Sequence, residues 1–384
     1  MALVCEPPHG GVAEHVTQLA LGLGARGFEP VVICPPDFRT AGALRSAGCR
    51  VAEVDLRRDY AHPHRDAAAV RAVGRVLRRE RVALVHAHAA KAGVVGRLAA
   101  RLLGRPALYT PHCFPFVGEV SEARRRFSLT VERALAPVTA AIVCVCEDER
   151  EVARASSLRA PLEVIHNGCP PCDDGEPDPR LLALAGGGPL VGAVTVLRRQ
   201  KAVEVLLEAA PAVLAAVPEA RIAIVGDGPE RAELGARAAA LGLDERVAFL
   251  PFTGPASRHL RALDVYVLPS AWEAFPIGVL EAQACGVPQV ATDVGGTREA
   301  VVPETGVLVP LRDPGALALA VTGILQDGER RRAMAAASRQ RHALHFGLEP
   351  MLDATAALYS RVIAQVRGSE ADNELVAPIK ANPP

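Results

Sequence analysis

The stretch Leu268–Val302, LPSAWEAFPIGVLEAQACGVPQVATDVGGTREAVV, leaves few folds open to this chain. Val265 to Leu268 read as the end of an apolar strand, and after a short loop comes a helix opened by Pro276 and stopped by Gly286 and Pro288. A second apolar strand then runs to the Gly295-Gly296 turn. This is one β-α-β step of a parallel sheet. The loop holds Glu273 and the helix holds Glu281, with seven residues between them. Helical side chains lean toward the helix N-terminus, so Glu281, on one face with Ile277 and Gly278, is predicted to point across a gap left by Gly278. Both carboxylates then overlook the crevice beyond the strand ends, where open α/β sheets bind ligands.

The same alternation of apolar strands and helices extends on both sides of this stretch, and 384 residues are too many for one compact core. Half the residues are hydrophobic but only 4% are aromatic, so the core is mainly Ala, Leu and Val, which suits helices packed on parallel sheets. Basic and acidic residues both number 43, which gives no argument for nucleic acid as a partner. Residues 1–168 nevertheless carry a net +6 and the remainder −6. That asymmetry is either compositional drift or a basic half that meets an anionic acceptor or membrane surface. Met1 leads straight into strand-like sequence, and no apolar run has the length of a bilayer span. The expectation is a cytoplasmic protein, soluble or peripheral on the inner face of the membrane. Nine cysteines scattered through apolar runs predict reduced thiols and no disulfide framework. Cys169-Pro-Pro-Cys172 leaves a zinc or redox site as the alternative, although no second pair repeats its spacing.

Gly10-Gly11 precede a helix with Val12, Val16, Leu19 and Leu23 on one face. Such a turn either lets backbone amides approach an anion or simply needs a positive φ. Val82 to Val85 read as a strand ending in His86-Ala-His88-Ala-Ala-Lys91. Two alternating histidines look like half of a metal site, but no third ligand has suitable spacing, so the reading is non-metal. Ala107 to Phe116 form a strand that runs into Thr110-Pro111-His112 and places an imidazole at a sheet edge. Ser121 to Ala136 make a helix carrying Arg124, Arg125 and Arg126, which is an exposed basic surface or a dock for anionic lipid. Cys169 to Pro189 are rich in Pro, Gly and Asp and read as a linker. A strand from Leu190 to Leu197 meets Arg198-Arg199-Gln200-Lys201, where Lys201 is one of only three lysines. Gly226-Asp227-Gly228 closes another strand, but the full dinucleotide fingerprint is absent, which argues against a dehydrogenase. Residues 349–367 are predicted as a last helix and 368–384 as a disordered tail.

Glu273 and Glu281 at this spacing, followed by A-C-G-V-P and by Gly295-Gly296-x-x-Glu299, resemble the retaining nucleotide-sugar glycosyltransferases of family four. G-G-V-A-E-H-V at Gly10, V-H-A-H at Val85, Y-T-P-H-C-F at Tyr109 and H-N-G at His166 are similar to that family's other motifs. The resemblance implies α/β architecture of the GT-B type, two Rossmann-like domains with parallel sheets facing across a cleft. Residues 1–168 would be the acceptor-side domain, 169–189 the linker, 190–348 the nucleotide-sugar-binding domain, and 349–367 a helix crossing back. It further implies that Glu281 binds ribose, that Glu273 binds the donor sugar, and that backbone from Phe275 through Pro276 to Ile277 approaches the sugar and phosphates. Gly10, Gly11, Lys201 and Gly226 would line the diphosphate and nucleotide, and His112 would orient the donor. His86 would pack at the strand end, while His88, Lys91 and Phe114 would face the acceptor. The chain departs from the pattern at Cys113, Thr195, Ala202 and Ala274, which replace glycines, and at Val196, which stands where an arginine is usual. Residues 196 and 198 would share one face of an alternating strand, so Arg198 could supply the missing guanidinium.

The activity implied is transfer of a hexose or N-acetylhexosamine from a UDP-sugar or GDP-sugar to a hydroxyl of a glycan, lipid-linked or small-molecule acceptor. No cofactor or metal is expected, since fixed cations can stabilise the leaving diphosphate. A non-hydrolysing nucleotide-sugar epimerase and a catalytically impaired partner subunit are the alternatives.

Overall fold

The computed structural model of the chain describes residues 1–56, 63–243 and 245–375. Seven strands form the first sheet: β1 (Ala2–Cys5), β2 (Val31–Cys34), β3 (Arg50–Glu53), β4 (Val85–His88), β5 (Ala107–Thr110), β6 (Ala141–Cys144) and β7 (Leu162–Val164). Six form the second: β8 (Leu190–Val194), β9 (Arg221–Val225), β10 (Val247–Leu250), β11 (Val265–Leu268), β12 (Gln289–Thr292) and β13 (Gly306–Val309). The strand orders are 3-2-1-4-5-6-7 and 10-9-8-11-12-13, parallel throughout. Order reverses beside β1 in one sheet and beside β8 in the other, which opens a crevice at each set of strand C-termini. Short runs such as VVIC, AIVC and VYVL are buried along their whole length because helices cover both faces.

Several expectations about the elements need correction. The strand predicted at 82–85 lies at Val85–His88, because pairing with Ala2–Cys5 on one side and Ala107–Thr110 on the other sets its register and draws both histidines into the sheet. The predicted linker is partly folded: Asp178 caps a helix at Pro179–Ala185, and its Leu181 is buried in the second domain. The last helix runs Leu348–Leu375, beyond the predicted 367, so residues 368–375 are helical, and the rest of the expected tail, 376–384, lies outside the described residues. Met351, Leu352, Leu358, Tyr359 and Val362 of that helix bury themselves in the first domain's core, so the chain does cross back.

The two crossings between domains lie side by side. The Cys169 N–H donates to the Phe346 carbonyl at 3.0 Å, and Cys169 pairs with Gly347 as a parallel bridge. Gly168 is required there, since a Cβ would lie 2.5 Å from the Gly347 oxygen. Three residues on, Cys172 is bonded to Cys285, contrary to the expectation of nine free thiols; the other seven cysteines are unpaired. The two partners lie 113 residues apart, so only the tertiary fold brings them together.

In the first domain, Arg97 is fully buried between the helices Ala90–Leu102 and Glu122–Leu135. Its guanidinium donates to Glu132 at 2.8 Å and lies 4.0 Å from the centre of the Tyr109 ring, whose hydroxyl donates to the same carboxylate. This group braces β5, whose C-terminal end carries His112. Glu132→Ala leaves a buried guanidinium without its counter-charge, so the expected loss is about 3–5 kcal/mol in urea unfolding. A loss below about 1 kcal/mol would show that the pair does not support the domain.

Candidate active site

The site forms where the two sheets present their C-terminal edges to each other. Gly11 faces Ile277, and a Cβ on Gly11 would lie 3.4 Å from that side chain; Gly10, at φ +87°, faces Val196 at 4.0 Å in the same sense. The expected diphosphate turn of one domain therefore meets the expected donor helix, Ile277–Ala284, of the other. A side chain at either glycine would intrude on this gap.

Lys201 and Glu273 are joined by a 2.5 Å ion pair, and the Ser270 hydroxyl donates to the same Glu273 oxygen at 2.7 Å. Two further bonds stitch their loops together: the Ala271 N–H donates to the Gln200 carbonyl, and the Gln200 amide donates to the Trp272 carbonyl. β8 stops at Val194, so the alternation invoked for positions 196 and 198 is absent. Instead the Arg198 N–H turns back to the Val196 carbonyl at 3.0 Å. The charges of Arg198 and Lys201 nevertheless both favour the thiolate of Cys113, in the turn that follows β5. Burial pushes that thiol up to about 12, with Glu149 and Glu273 adding to the effect.

His112 and Cys113 have φ of +51° and +85°, in the left-handed region. The turn is held by a residue the sequence reading missed, Glu149. One carboxylate oxygen accepts the Cys113 N–H at 2.7 Å and the other the Val145 N–H at 2.8 Å. Burial raises the Glu149 carboxyl to about 7 although both N–H bonds pull it down. Its position in the first turn of the helix Glu147–Ala155 was visible, but its partner, 36 residues upstream, was not.

Glu281 is half-buried on its helix. Burial pushes its carboxyl up to about 7, reinforced by Glu14 across the cleft and opposed by Arg39. Gly278 leaves no gap for it, because a Cβ there would lie 2.5 Å from the Tyr266 hydroxyl. Glycine is needed so that the helix can pack against β11. Gly226 likewise serves close packing of backbone, with the Thr195 carbonyl where its Cβ would be.

His15, His88 and His112 converge from a helix, a strand and a turn. His88 Nδ1 lies 3.2 Å from His112 Nε2, and one ring nitrogen from each of the three lies within 4.8 Å of the others. The pair expected from sequence was His86 with His88; the structure instead groups His88 with His112 and with His15, which lies 73 residues before it. Burial holds the imidazoles neutral, lowering His15 to about 4 and His88 and His112 well below the usual range. A set of three neutral imidazoles is also able to ligate a transition metal. His86 is packed at the strand as expected, bonded to Tyr359 at 2.6 Å and Thr110 at 2.7 Å.

The other residues expected at the acceptor side are drawn inward. His88 is fully buried, Phe114 is 1% exposed and stacks on Phe116, and the Lys91 ammonium pairs with Asp66. The loop between β5 and the helix Glu122–Leu135 reaches the second domain instead, where Trp272 covers Gly118 and Glu119 pairs with Arg199 and Arg312. Two interdomain contacts aim the Glu273 loop: Asn167 donates to the Phe275 carbonyl at 2.9 Å, and the Cys146 thiol donates to the Ala274 carbonyl at 3.3 Å. Glu299 accepts from the Glu147 and Asp148 N–H groups, both at 3.1 Å, and caps a helix of the opposite domain.

Comparison with known proteins agrees with this geometry. The family described as "Glycosyl transferase 4-like domain" matches residues 10–168, and "Glycosyl transferases group 1" matches residues 176–341. The UDP-Gal:alpha-D-GlcNAc-diphosphoundecaprenol alpha-1,3-galactosyltransferase of Escherichia coli is 29% identical, over 66% of this chain and 69% of its own length. The alpha-maltose-1-phosphate synthase of Mycolicibacterium smegmatis is 31% identical, over 93% of this chain and 97% of its own. Among solved structures, the sucrose-phosphate synthase of Thermosynechococcus elongatus superposes with a TM-score of 0.82 at 23% identity, covering 95% of this chain and all of its own. Two facing Rossmann-like domains and matches over both halves establish that the chain belongs to the group 1, 4-like family of GT-B glycosyltransferases.

Proposed function

We propose that the protein transfers a hexose or N-acetylhexosamine, with retention at the anomeric carbon, from a UDP-sugar to a hydroxyl of a lipid-linked or other glycan. The observation that carries this reading is the Lys201–Glu273 pair in the turn after β8 and the loop after β11, where Val196 and Ile277 face Gly10 and Gly11 of the other domain and Glu281 lies on the helix that Ile277 opens. Lys201 and Arg198 stabilise the charge that develops on the diphosphate as the bond from its oxygen to the sugar breaks. Glu273 accepts sugar hydroxyls, and Glu281 accepts the ribose hydroxyls. Neutral His112 orients the donor, hydrogen-bonded to it by the nitrogen that His88 does not engage. The acceptor hydroxyl attacks on the face the leaving group vacates, and its proton passes to the departing phosphate oxygen. The scheme uses no metal cofactor. An intact Lys201–Glu273 pair favours an active transferase over an impaired partner subunit.

UDP is preferred over GDP because the Escherichia coli relative is named for a UDP-sugar, and its named acceptor is a diphosphoundecaprenol glycan. No helix among the described residues is long and apolar enough to cross a membrane. Contact with an anionic membrane surface is assigned to the helix Glu122–Leu135, which exposes Phe127 among arginines. Two measurements test the reading. The ribose hydroxyls donate to ionised Glu281, so nucleotide binding requires this carboxyl, near 7 in the free protein, to lose its proton. Calorimetric UDP affinity should then rise about tenfold from pH 6 to pH 8, while Glu281→Gln binds weakly with a flat profile. A flat wild-type profile would remove Glu281 from the ribose. For the donor role, His112→Ala should lower transfer from UDP-galactose, UDP-glucose or UDP-N-acetylglucosamine by about 100-fold or more while retaining UDP affinity. Unchanged transfer would refute that role.

A further inference from the structure

We infer that Cys172–Cys285 is a reversible redox modification site, the bond of which holds the exit of the interdomain hinge against the donor helix, so that a dithiol reductant weakens donor binding. The inference rests on the donor site proposed above and extends it. Cys285 is the C-cap of the helix Ile277–Ala284, and its N–H donates to the Glu281 carbonyl at 3.1 Å, so the bond is anchored one turn from the expected ribose ligand. Cys172 lies three residues beyond Cys169, whose backbone pairs with Phe346 and Gly347 at the second crossing. The disulfide thus ties the pivot of the two domains to the element that holds Glu281.

Access separates this pair from most of the other cysteines. Cys172 and Cys285 are both half-buried and reachable by a dithiol, whereas Cys5, Cys34, Cys144, Cys146 and Cys169 are buried. Cys169, next in the C-x-x-C, is engaged with His342 at 3.3 Å. The segment also has a second anchor that survives reduction. Asp173 accepts from the Ser257 hydroxyl at 2.7 Å, and its carbonyl accepts from Arg261 at 2.7 Å. Breaking the bond therefore releases the end of the donor helix from residue 172, while Asp173 keeps the linker docked.

The exchange balances with a dithiol of the C-x-x-C type or a small-molecule equivalent. Its thiolate attacks one sulfur of the pair, the Cys172–Cys285 bond breaks, and a mixed disulfide forms. Its second thiol then displaces the remaining protein sulfur. Two electrons and two protons pass from the reductant, which becomes a disulfide, and Cys172 and Cys285 become thiols. Preorganisation is lost on reduction, so affinity falls.

The test measures UDP binding by calorimetry on air-oxidised full-length protein, on the same protein after dithiothreitol, and on Cys172→Ser and Cys285→Ser, with thermal unfolding confirming that each is folded. Peptide mapping of the oxidised protein should show the 172–285 linkage. The oxidised wild type should bind UDP about five- to tenfold more tightly than the reduced form. Both variants should match the reduced protein and ignore dithiothreitol. Equal UDP affinity in oxidised and reduced wild type, or a map without the linkage, overturns the inference and leaves the donor site standing. No UDP binding by any folded form overturns the donor reading itself.

Discussion

The ion pair between Lys201 and Glu273 is the contact on which the cleft depends. Both groups are largely shielded from water, with Lys201 15% and Glu273 8% exposed at the side chain, and each would carry an uncompensated desolvation penalty without the other. The pair joins the turn after β8 to the loop after β11, adjacent strands that end at one edge of the second sheet. Ser270 accompanies the carboxylate and Gln200 ties the backbone on both sides. A lysine in a chain that otherwise uses arginine fits this place. Its compact ammonium can hold one carboxylate oxygen at 2.5 Å and still turn its other protons toward a phosphate, whereas a guanidinium would commit its planar fork.

Much of the fold was legible because parallel sheets covered on both faces leave a local signature. The four-residue apolar strands, the Gly-Gly turns and the helix start at Pro276 each followed from neighbouring residues alone, and Glu273, Lys201 and the His112 turn were found at strand ends for the same reason. What was missed depends on partners distant in sequence. Glu149 looks like an ordinary first-turn carboxylate until the Cys113 amide is placed on it. His15 is one polar residue on an amphipathic helix until β4 and β5 bring two more imidazoles to it. Phe114 and Lys91, expected to face the acceptor, are drawn inward by contacts with Phe116 and Asp66 that no spacing rule contains.

Two departures from the family pattern have a common backbone consequence. Cys113 and Ala202 occupy positions where the resemblance leads one to expect glycine, and both are left-handed, at φ +85° and +46°. A side chain in that region costs about 1–3 kcal/mol unless its surroundings fix it. At Cys113 the fixing group is Glu149, which holds the amide at 2.7 Å; at Ala202 it is the 3₁₀ turn Arg199–Lys201, whose Arg199 carbonyl accepts the Ala202 N–H. The geometry of the glycine is kept without the glycine. Val196 is a different kind of departure, since it places an apolar side chain opposite Gly10 where the resemblance leads one to expect an arginine.

Constraints at both ends of the cleft explain why the domains meet as they do. At the hinge the crossings pair through backbone at Cys169 and Gly347, a contact that tolerates rotation but little translation because Gly168 already abuts the Gly347 carbonyl. On the opposite side, Trp272 lies over Gly118, and Glu119 sits between Arg199 and Arg312. These charges are partly exposed, so each pair contributes little on its own and is weakened further by salt. Glu299 joins the two regimes, bonding His166 of the first domain at 2.8 Å while capping the helix that carries Glu149. Rotation about the hinge that separates the Glu119 contacts would also strain the Glu299 cap, and through Glu149 it would reach the His112 turn. The interdomain contact at Glu299 and the turn that carries His112 are therefore joined by a short chain of hydrogen bonds through the helix that bears Glu149.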